Sequence, residues 1–135
     1  MRMRLVHTVR MRHTIRSLIL LGAATATLGL AACSGDAGEI AGTSWGAAPG
    51  TQGEPSIAFD RDGSYSGNDG CNVIGGEWTA DGDVVDLGNM RSTMMYCDGV
   101  DTWLSSAATA TLGDGKLSFA DGSGKSLGTL DVFDG

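Results

Sequence analysis

Three cysteines are the residues whose type and position indicate the most definite chemistry in this chain. Cys33 ends an uncharged run of about fifteen residues, which follows a basic segment without acids and has the length of a signal-peptide core. Such a run is too short for a membrane-spanning helix of about twenty residues. The preceding Leu30-Ala31-Ala32 resembles the bacterial lipobox. We therefore predict cleavage before Cys33 and a membrane anchor of acyl chains, such as palmitate, on this cysteine. An ordinary signal followed by an incidental cysteine is the alternative.

Cys71 and Cys97 are the two cysteines that remain after lipidation. Export would place both thiols in an oxidising compartment, where an even number of cysteines favours a disulfide. The bond would close a loop of roughly 27 residues. By restricting the unfolded chain, it would stabilise the folded state by about 3–4 kcal/mol. Two reduced thiols packed side by side are the alternative.

Histidine is confined to the predicted signal, where His7 and His13 lie. The mature part therefore lacks the commonest general base and the commonest metal ligand. The string 42–46 (GTSWG) matches the G-x-S-x-G pattern of serine hydrolases, but such a nucleophile needs a histidine and a strand before it. A first strand that carries Trp45 explains these residues better.

Carboxylates are the remaining catalytic candidates. A glycan hydrolase needs two acids across a cleft, and only Glu39, Glu54 and Glu77 supply glutamate. The aspartate-rich strings 60–62 and 81–83 could bind calcium, but they do not complete an EF-hand pattern and more often close turns. We predict that the protein is not an enzyme and that it holds no metal and no cofactor.

Charge is divided sharply between the predicted signal and the rest. All sixteen acids lie after residue 33, together with only four basic residues, Arg61, Arg91, Lys116 and Lys125. An acidic surface of this kind repels phosphate backbones, so we expect no binding of nucleic acid.

The elements that must position these residues are short strands joined by Asp-Gly turns. Asp-Gly occurs seven times, at 62, 69, 81, 98, 114, 121 and 134, between segments of alternating apolar residues. The string 100–110 lacks this alternation and predicts one short helix near 99–108, with Asp98 as its N-cap. The fold class is mainly β (α+β), an antiparallel barrel-like sheet with one short helix. The residues expected to be mostly buried are Trp45, Ile57, Phe59, Ile74, Trp78, Leu87, Met95, Leu104, Phe119 and Leu130.

The chain divides into three predicted regions. Residues 1–32 are predicted as a lipoprotein signal peptide, 33–41 as a small polar tether, and 42–135 as one domain.

Several motifs of the predicted domain resemble the META domain family. The string 67–78 (GNDGCNVIGGEW) fills that family's G-x-x-G-C-N pattern and the positions after it, and 93–97 (TMMYC) fills its T-x-M-A-C pattern with Tyr96 in place of alanine. The opening G-T-x-W is met at 42–45. The resemblance implies a β-rich envelope domain, associated with stress and drug tolerance, that has no established reaction.

The function predicted from these observations is that of a membrane-anchored, non-enzymatic cell-envelope lipoprotein, with stress-related binding of a protein or small apolar ligand. A groove lined by Tyr65, Trp78 and Trp103 is the predicted binding site, although core packing is the simpler explanation of an aromatic residue such as Trp78. An exported enzyme-inhibitor module is the first alternative, and a carboxylate-based glycan hydrolase is the least favoured.

Overall fold

The computed structural model describes residues 37–135, which form short antiparallel strands and two four-residue 3-10 helices. Cys33 and the predicted signal lie outside the described residues. The 3-10 helices span Ala37–Ile40 and Trp103–Ser106. The strands are β1 Thr43–Gly46, β2 Ser56–Phe59, β3 Ser64–Asn68, β4 Val73–Glu77, β5 Thr79–Asp81, β6 Val84–Asp86, β7 Arg91–Ser92, β8 Thr109–Gly113, β9 Lys116–Ala120 and β10 Ser126–Asp131.

Two five-stranded sheets contain these strands. The first has the order β1-β2-β3-β4-β7, and the second has the order β10-β9-β8-β6-β5. Every pairing is antiparallel. Strands β4 and β5 follow each other with only Trp78 between them, so the chain passes directly from one sheet to the other. The mainly β, antiparallel prediction is confirmed.

Asp-Gly turns join several of these strands, as the sequence predicts. Between β8 and β9, Asp114 and Gly115 both have positive φ, at 53° and 71°. This is the conformation that a two-residue hairpin needs to match the twist of its strands. Asp62-Gly63 likewise separates β2 from β3. A short-range signal in the sequence therefore determines where these hairpins turn.

The core consists of residues that alternate along the strands, because side chains two apart share one face. Eight of the ten residues predicted to be mostly buried are buried, while Trp78 is partly buried and packs against the core. The prediction for Met95 is wrong, since 64% of it is exposed. The buried hydrophobic residues are Ile40, Trp45, Ile57, Phe59, Tyr65, Ile74, Val85, Leu87, Leu104, Ala107, Ala110, Leu117, Phe119 and Leu130.

The predicted helix near 99–108 is reduced to the 3-10 helix Trp103–Ser106. Its N-cap is Thr102 rather than Asp98, and at Ala107 the backbone already has the extended values φ −70° and ψ 137°. A single helical turn gains little, because nucleation fixes several residues for one hydrogen bond. From Thr109 the chain instead gains the hydrogen bonds of β8 with both of its neighbouring strands.

Two further expectations concern the sheets and the tether. No closed barrel is found within residues 37–135, where an isolated bridge between Trp45 and Val132 links β1 to the residue after β10. The segment predicted as a tether contributes Ile40 to the core, where it is 1% exposed. The Thr43 hydroxyl donates a hydrogen bond to the carbonyl oxygen of Ile40 and joins this residue to β1. The packed structure therefore begins before residue 42.

Candidate functional site

The two cysteine-containing motifs meet at one edge of the first sheet. Cys71 and Cys97 form a disulfide with a Cα–Cα distance of 5.8 Å, as predicted. Cys71 lies in the turn between β3 and β4, and Cys97 lies five residues after β7. The bond therefore joins the turn at 69–72 to the segment that leaves the sheet edge.

Asn72 makes the same connection through hydrogen bonds. Its side-chain oxygen accepts from the Met95 amide at 2.6 Å and from the Thr93 hydroxyl at 3.1 Å. Its amide nitrogen donates to Asp69 and to the Met95 carbonyl oxygen, both at 3.4 Å. Asn72 is only 7% exposed, so these partners replace water around a buried amide. We call the disulfide and the Asn72 hydrogen bonds the clip.

The turn that carries the clip is held by its own side chains. Asp69 is fully buried, and its Oδ1 accepts from the amides of Cys71 and Asn72 at 2.9 and 2.5 Å. Asn68 accepts from the amide of Gly70 at 2.6 Å. Gly70 has a φ of +100°, and an added Cβ would lie 3.0 Å from the Val100 side chain. Glycine is therefore favoured at this position for its backbone conformation, and an added Cβ would also press on the neighbouring side chain.

The segment held by the clip is exposed and apolar. Residues 93–96, which we call the strap, follow β7 and include Met94, Met95 and Tyr96, which are 95%, 64% and 87% exposed. The Thr93 amide donates to the Val73 carbonyl oxygen at 3.1 Å, and the Val73 amide donates to the Thr93 hydroxyl at 3.1 Å. Val73 is itself 60% exposed.

An exposed group of large apolar side chains on an ordered segment is unusual for a surface. Such groups commonly mark sites where a protein contacts a partner. Methionine suits this role, because its flexible and polarizable side chain adapts to different surfaces. The sequence prediction places Met95 in the core, and the adjacent apolar residues Met94 and Tyr96 are the signal that could have indicated a surface segment.

The three aromatic residues predicted to line a groove pack against two phenylalanines: Tyr65 and Trp78 both contact Phe59, and Trp103 contacts Phe119. Tyr65 is 2% exposed, and its hydroxyl donates to the Leu87 carbonyl oxygen at 2.7 Å. Burial raises the pKa of Tyr65 to about 12, with a smaller lowering by Arg91 and a raising by Asp86. Tyr65 therefore serves as a core residue with a satisfied hydroxyl group.

The two tryptophans of that prediction pack against different phenylalanines. Trp78 meets Phe59 edge-on, with ring centroids 5.8 Å apart, and Trp103 meets Phe119 at 5.6 Å. Phe59 belongs to the first sheet and Phe119 to the second. These contacts are typical of core aromatics, so they favour the packing interpretation of the two tryptophans.

Carboxylates meet in one surface hollow of about 480 Å³, where Glu77 and Asp86 lie with Arg91. Both acids are exposed to solvent. A glycoside hydrolase instead shields its acid so that the carboxyl group stays protonated. The hollow therefore gives little support to the hydrolase alternative.

Two aspartates in turns, Asp62 and Asp121, accept hydrogen bonds from their own chain. Asp62 Oδ1 accepts from the hydroxyl and the amide of Ser64 at 2.6 and 2.9 Å, and the hydroxyl bond is the main cause of its lowered pKa. Asp121 accepts in the same way from Ser123, and its pKa is likewise lowered. Within residues 37–135, no group of three or more His, Cys, Asp or Glu residues could hold a metal ion.

The fold and the clip together define a small antiparallel β domain with a disulfide-linked edge segment. The family model described as META domain matches residues 37–129. The chain therefore belongs to the META domain family, as the motifs predict. No curated protein and no solved structure matches it. None of the helices in the described part of the chain is long and apolar enough to cross a membrane.

Proposed function

We propose that this protein is a non-enzymatic, lipid-anchored component of the bacterial cell envelope that binds a partner through the strap, in a stress-related role. Membership of the META family supports a cell-envelope type of domain. The observation that carries the binding role is the presence of Met94, Met95 and Tyr96 side by side on the surface. Their backbone is already held by the clip, so binding would order little more of the chain.

The partner surface proposed for the strap is apolar. The strap presents two thioethers and one aromatic ring. Within residues 37–135, its only side-chain link to a charge is the hydrogen bond from the Tyr96 hydroxyl to Asp98 at 3.3 Å. Burial of apolar surface yields about 25 cal/mol per Å². Three large side chains that lose their water would therefore dominate the binding energy.

Site-specific photocrosslinking in the cell envelope tests this role. A photoreactive residue at position 94 should give one discrete crosslinked product. The same residue at Lys125, which is exposed in the turn between β9 and β10 of the second sheet, serves as the matched control and should give none. Identical products from both positions, or no product from position 94, would contradict the proposal.

The proposed membrane anchor has its own test at Cys33, which ends the apolar run. Stable anchoring requires two or more acyl chains, since a single chain gives only marginal binding at about 0.8 kcal/mol per CH₂ group. Mass spectrometry of the membrane fraction should show an acylated N-terminal cysteine, and Cys33→Ala should release the protein. An unmodified cysteine, or a variant that stays tightly bound, would refute the anchor.

A further inference from the structure

Met94 is the second residue of the strap, and both of its neighbours are hydrogen-bonded to one oxygen atom. The Thr93 hydroxyl and the Met95 amide both donate to Asn72 Oδ1, at 3.1 and 2.6 Å. Met94 itself is 95% exposed. The buried Asn72 thus holds the Thr93 side chain and the Met95 backbone, on either side of a residue whose side chain is exposed to solvent.

The two ends of the strap are also held. Before Met94, the Thr93 amide donates to the Val73 carbonyl oxygen at 3.1 Å. After it, Cys97 is bonded to Cys71. The peptide bond between Met94 and Met95 therefore lies inside a short, exposed segment that is anchored on both sides.

We propose that the strap is a substrate-like loop that occupies the active-site cleft of an exported endopeptidase, with the Met94 side chain in an apolar specificity pocket. This inference rests on the proposed function, because it names the class of partner for the same strap. An endopeptidase with such a pocket recognises one exposed apolar side chain and the backbone around it. The clip presents both in ordered form, which removes most of the entropy cost of binding a flexible peptide.

The anchoring also explains how the loop would inhibit the enzyme. Hydrolysis would add one water molecule across the Met94–Met95 bond, leaving a carboxylate on Met94 and an amine on Met95. The new carboxyl end would remain attached through Thr93 to Val73 and Asn72. The new amino end would remain attached through the disulfide of Cys97. Neither product end could leave freely, so the cleft would stay occupied and the bond could be re-formed.

Methionine suits an apolar pocket because its side chain is long, unbranched and flexible. Complexes of proteases with loop inhibitors are among the tightest of standard-size interfaces. A single residue seated in a pocket can carry a large part of such an affinity. Met94 is therefore the position at which specificity should be set.

Titration of the amidase activity of chymotrypsin with the full-length chain in detergent tests this inference. Chymotrypsin, whose pocket is apolar, should lose activity toward a small chromogenic peptide as the chain is added. Met94→Asp should weaken inhibition by about 100-fold, as expected for a central contact residue. Val84→Asp, at a partly exposed valine of the second sheet, is the matched control and should inhibit like the unchanged protein.

Met94→Arg gives the sharpest readout, because it should transfer inhibition from chymotrypsin to trypsin, whose pocket takes basic side chains. A purely structural role of Met94 would not produce this exchange. Because Met94 is almost fully exposed, its variants should fold like the unchanged protein, and matching melting temperatures and thiol counts verify this.

Rapid cleavage of the strap with full protease activity, no inhibition of chymotrypsin, or failure of Met94→Arg to inhibit trypsin would each overturn the inference. A discrete crosslinked product at position 94 without any protease inhibition would overturn the inference alone and leave the proposed function standing. If neither the crosslinked product nor the protease inhibition were observed, both the inference and the proposed function would be wrong.

Discussion

Asn72 should be the side chain that contributes most through hydrogen bonds to the stability of the clip. Its two short hydrogen bonds, to the Met95 amide and the Thr93 hydroxyl, are worth about 1 kcal/mol each. The two bonds at 3.4 Å are near the limit of useful length and add little. We expect Asn72→Ala to lower the free energy of unfolding by about 2 kcal/mol, out of a total of about 5–10 kcal/mol.

Asn72→Asp should cost more at neutral pH for an electrostatic reason. The change keeps an acceptor oxygen but places a second carboxylate about 3.4 Å from Asp69, where the amide nitrogen lies now. At an effective dielectric constant of 20, Coulomb's law gives about 5 kcal/mol as the upper range of this repulsion. Lowering the pH toward 4 adds a proton to the pair and restores a donor. The variant should therefore regain stability in acid, whereas Asn72→Ala should not gain in the same way.

Urea unfolding followed by tryptophan fluorescence, with the disulfide intact, measures these differences at pH 7 and pH 4. Asn89→Ala is the matched control, because Asn89 is an exposed asparagine in the loop before β7. If Asn72→Asp matched the unchanged protein at pH 7, or if Asn72→Ala differed from Asn89→Ala by less than about 0.5 kcal/mol, the assigned role of these hydrogen bonds would be wrong.

Three other predictions concern the disulfide, the buried tyrosine and the glycines. Reduction of Cys71–Cys97, which are 26 residues apart, should lower stability by about 3–4 kcal/mol in urea unfolding, and thiol counting should find no free thiol at either position before reduction. Because burial raises the pKa of Tyr65 to about 12, its stabilising contribution is fully present below about pH 10 and is lost as the pH rises to about 12. Tyr65→Phe should reduce this loss of folding stability at high pH. Gly67→Ala should cost about 1–3 kcal/mol, because an added Cβ would lie 2.2 Å from a backbone oxygen, whereas Gly113→Ala, with nothing within 4 Å, should be tolerated in thermal melts.

Much of the fold could be predicted because its signals are local. The Asp114-Gly115 turn and the alternation of Leu117 and Phe119 depend only on residues close in sequence, and the structure has a hairpin and a buried face there. The pairing of Cys71 with Cys97 also followed, since few cysteines were available to pair. Signals of this kind depend on neighbouring residues alone, so contacts with distant segments do not change the local structure that they predict.

The misjudged positions depend on contacts between distant segments. Met95 is expected in the core, but β7 ends at Ser92 and the Met95 amide is hydrogen-bonded to Asn72 while its side chain lies exposed. The spacing of Val100, Trp103, Leu104 and Ala107 predicts a helix, but the chain is extended from Ala107 and pairs in β8 from Thr109, so only one helical turn remains. The candidate site therefore could not be located from the motifs alone, although its residues lie within them.

The bridge between Trp45 and Val132 has a consequence for the order of folding. The first strand of the domain is bonded to residues almost ninety positions later, since the Phe133 amide also donates to the Ser44 carbonyl oxygen at 2.8 Å. Closing so long a loop is slow, because the entropy of loop closure is offset only when contacts between the two ends form late in folding. A growing or translocating chain can pair β1 with β2 early, but it cannot complete the contact between β1 and Val132 until residue 133 is available. The hydrogen bonds that join the two ends of the domain would thus be the last to form during export, after the strands of the first sheet have all become available.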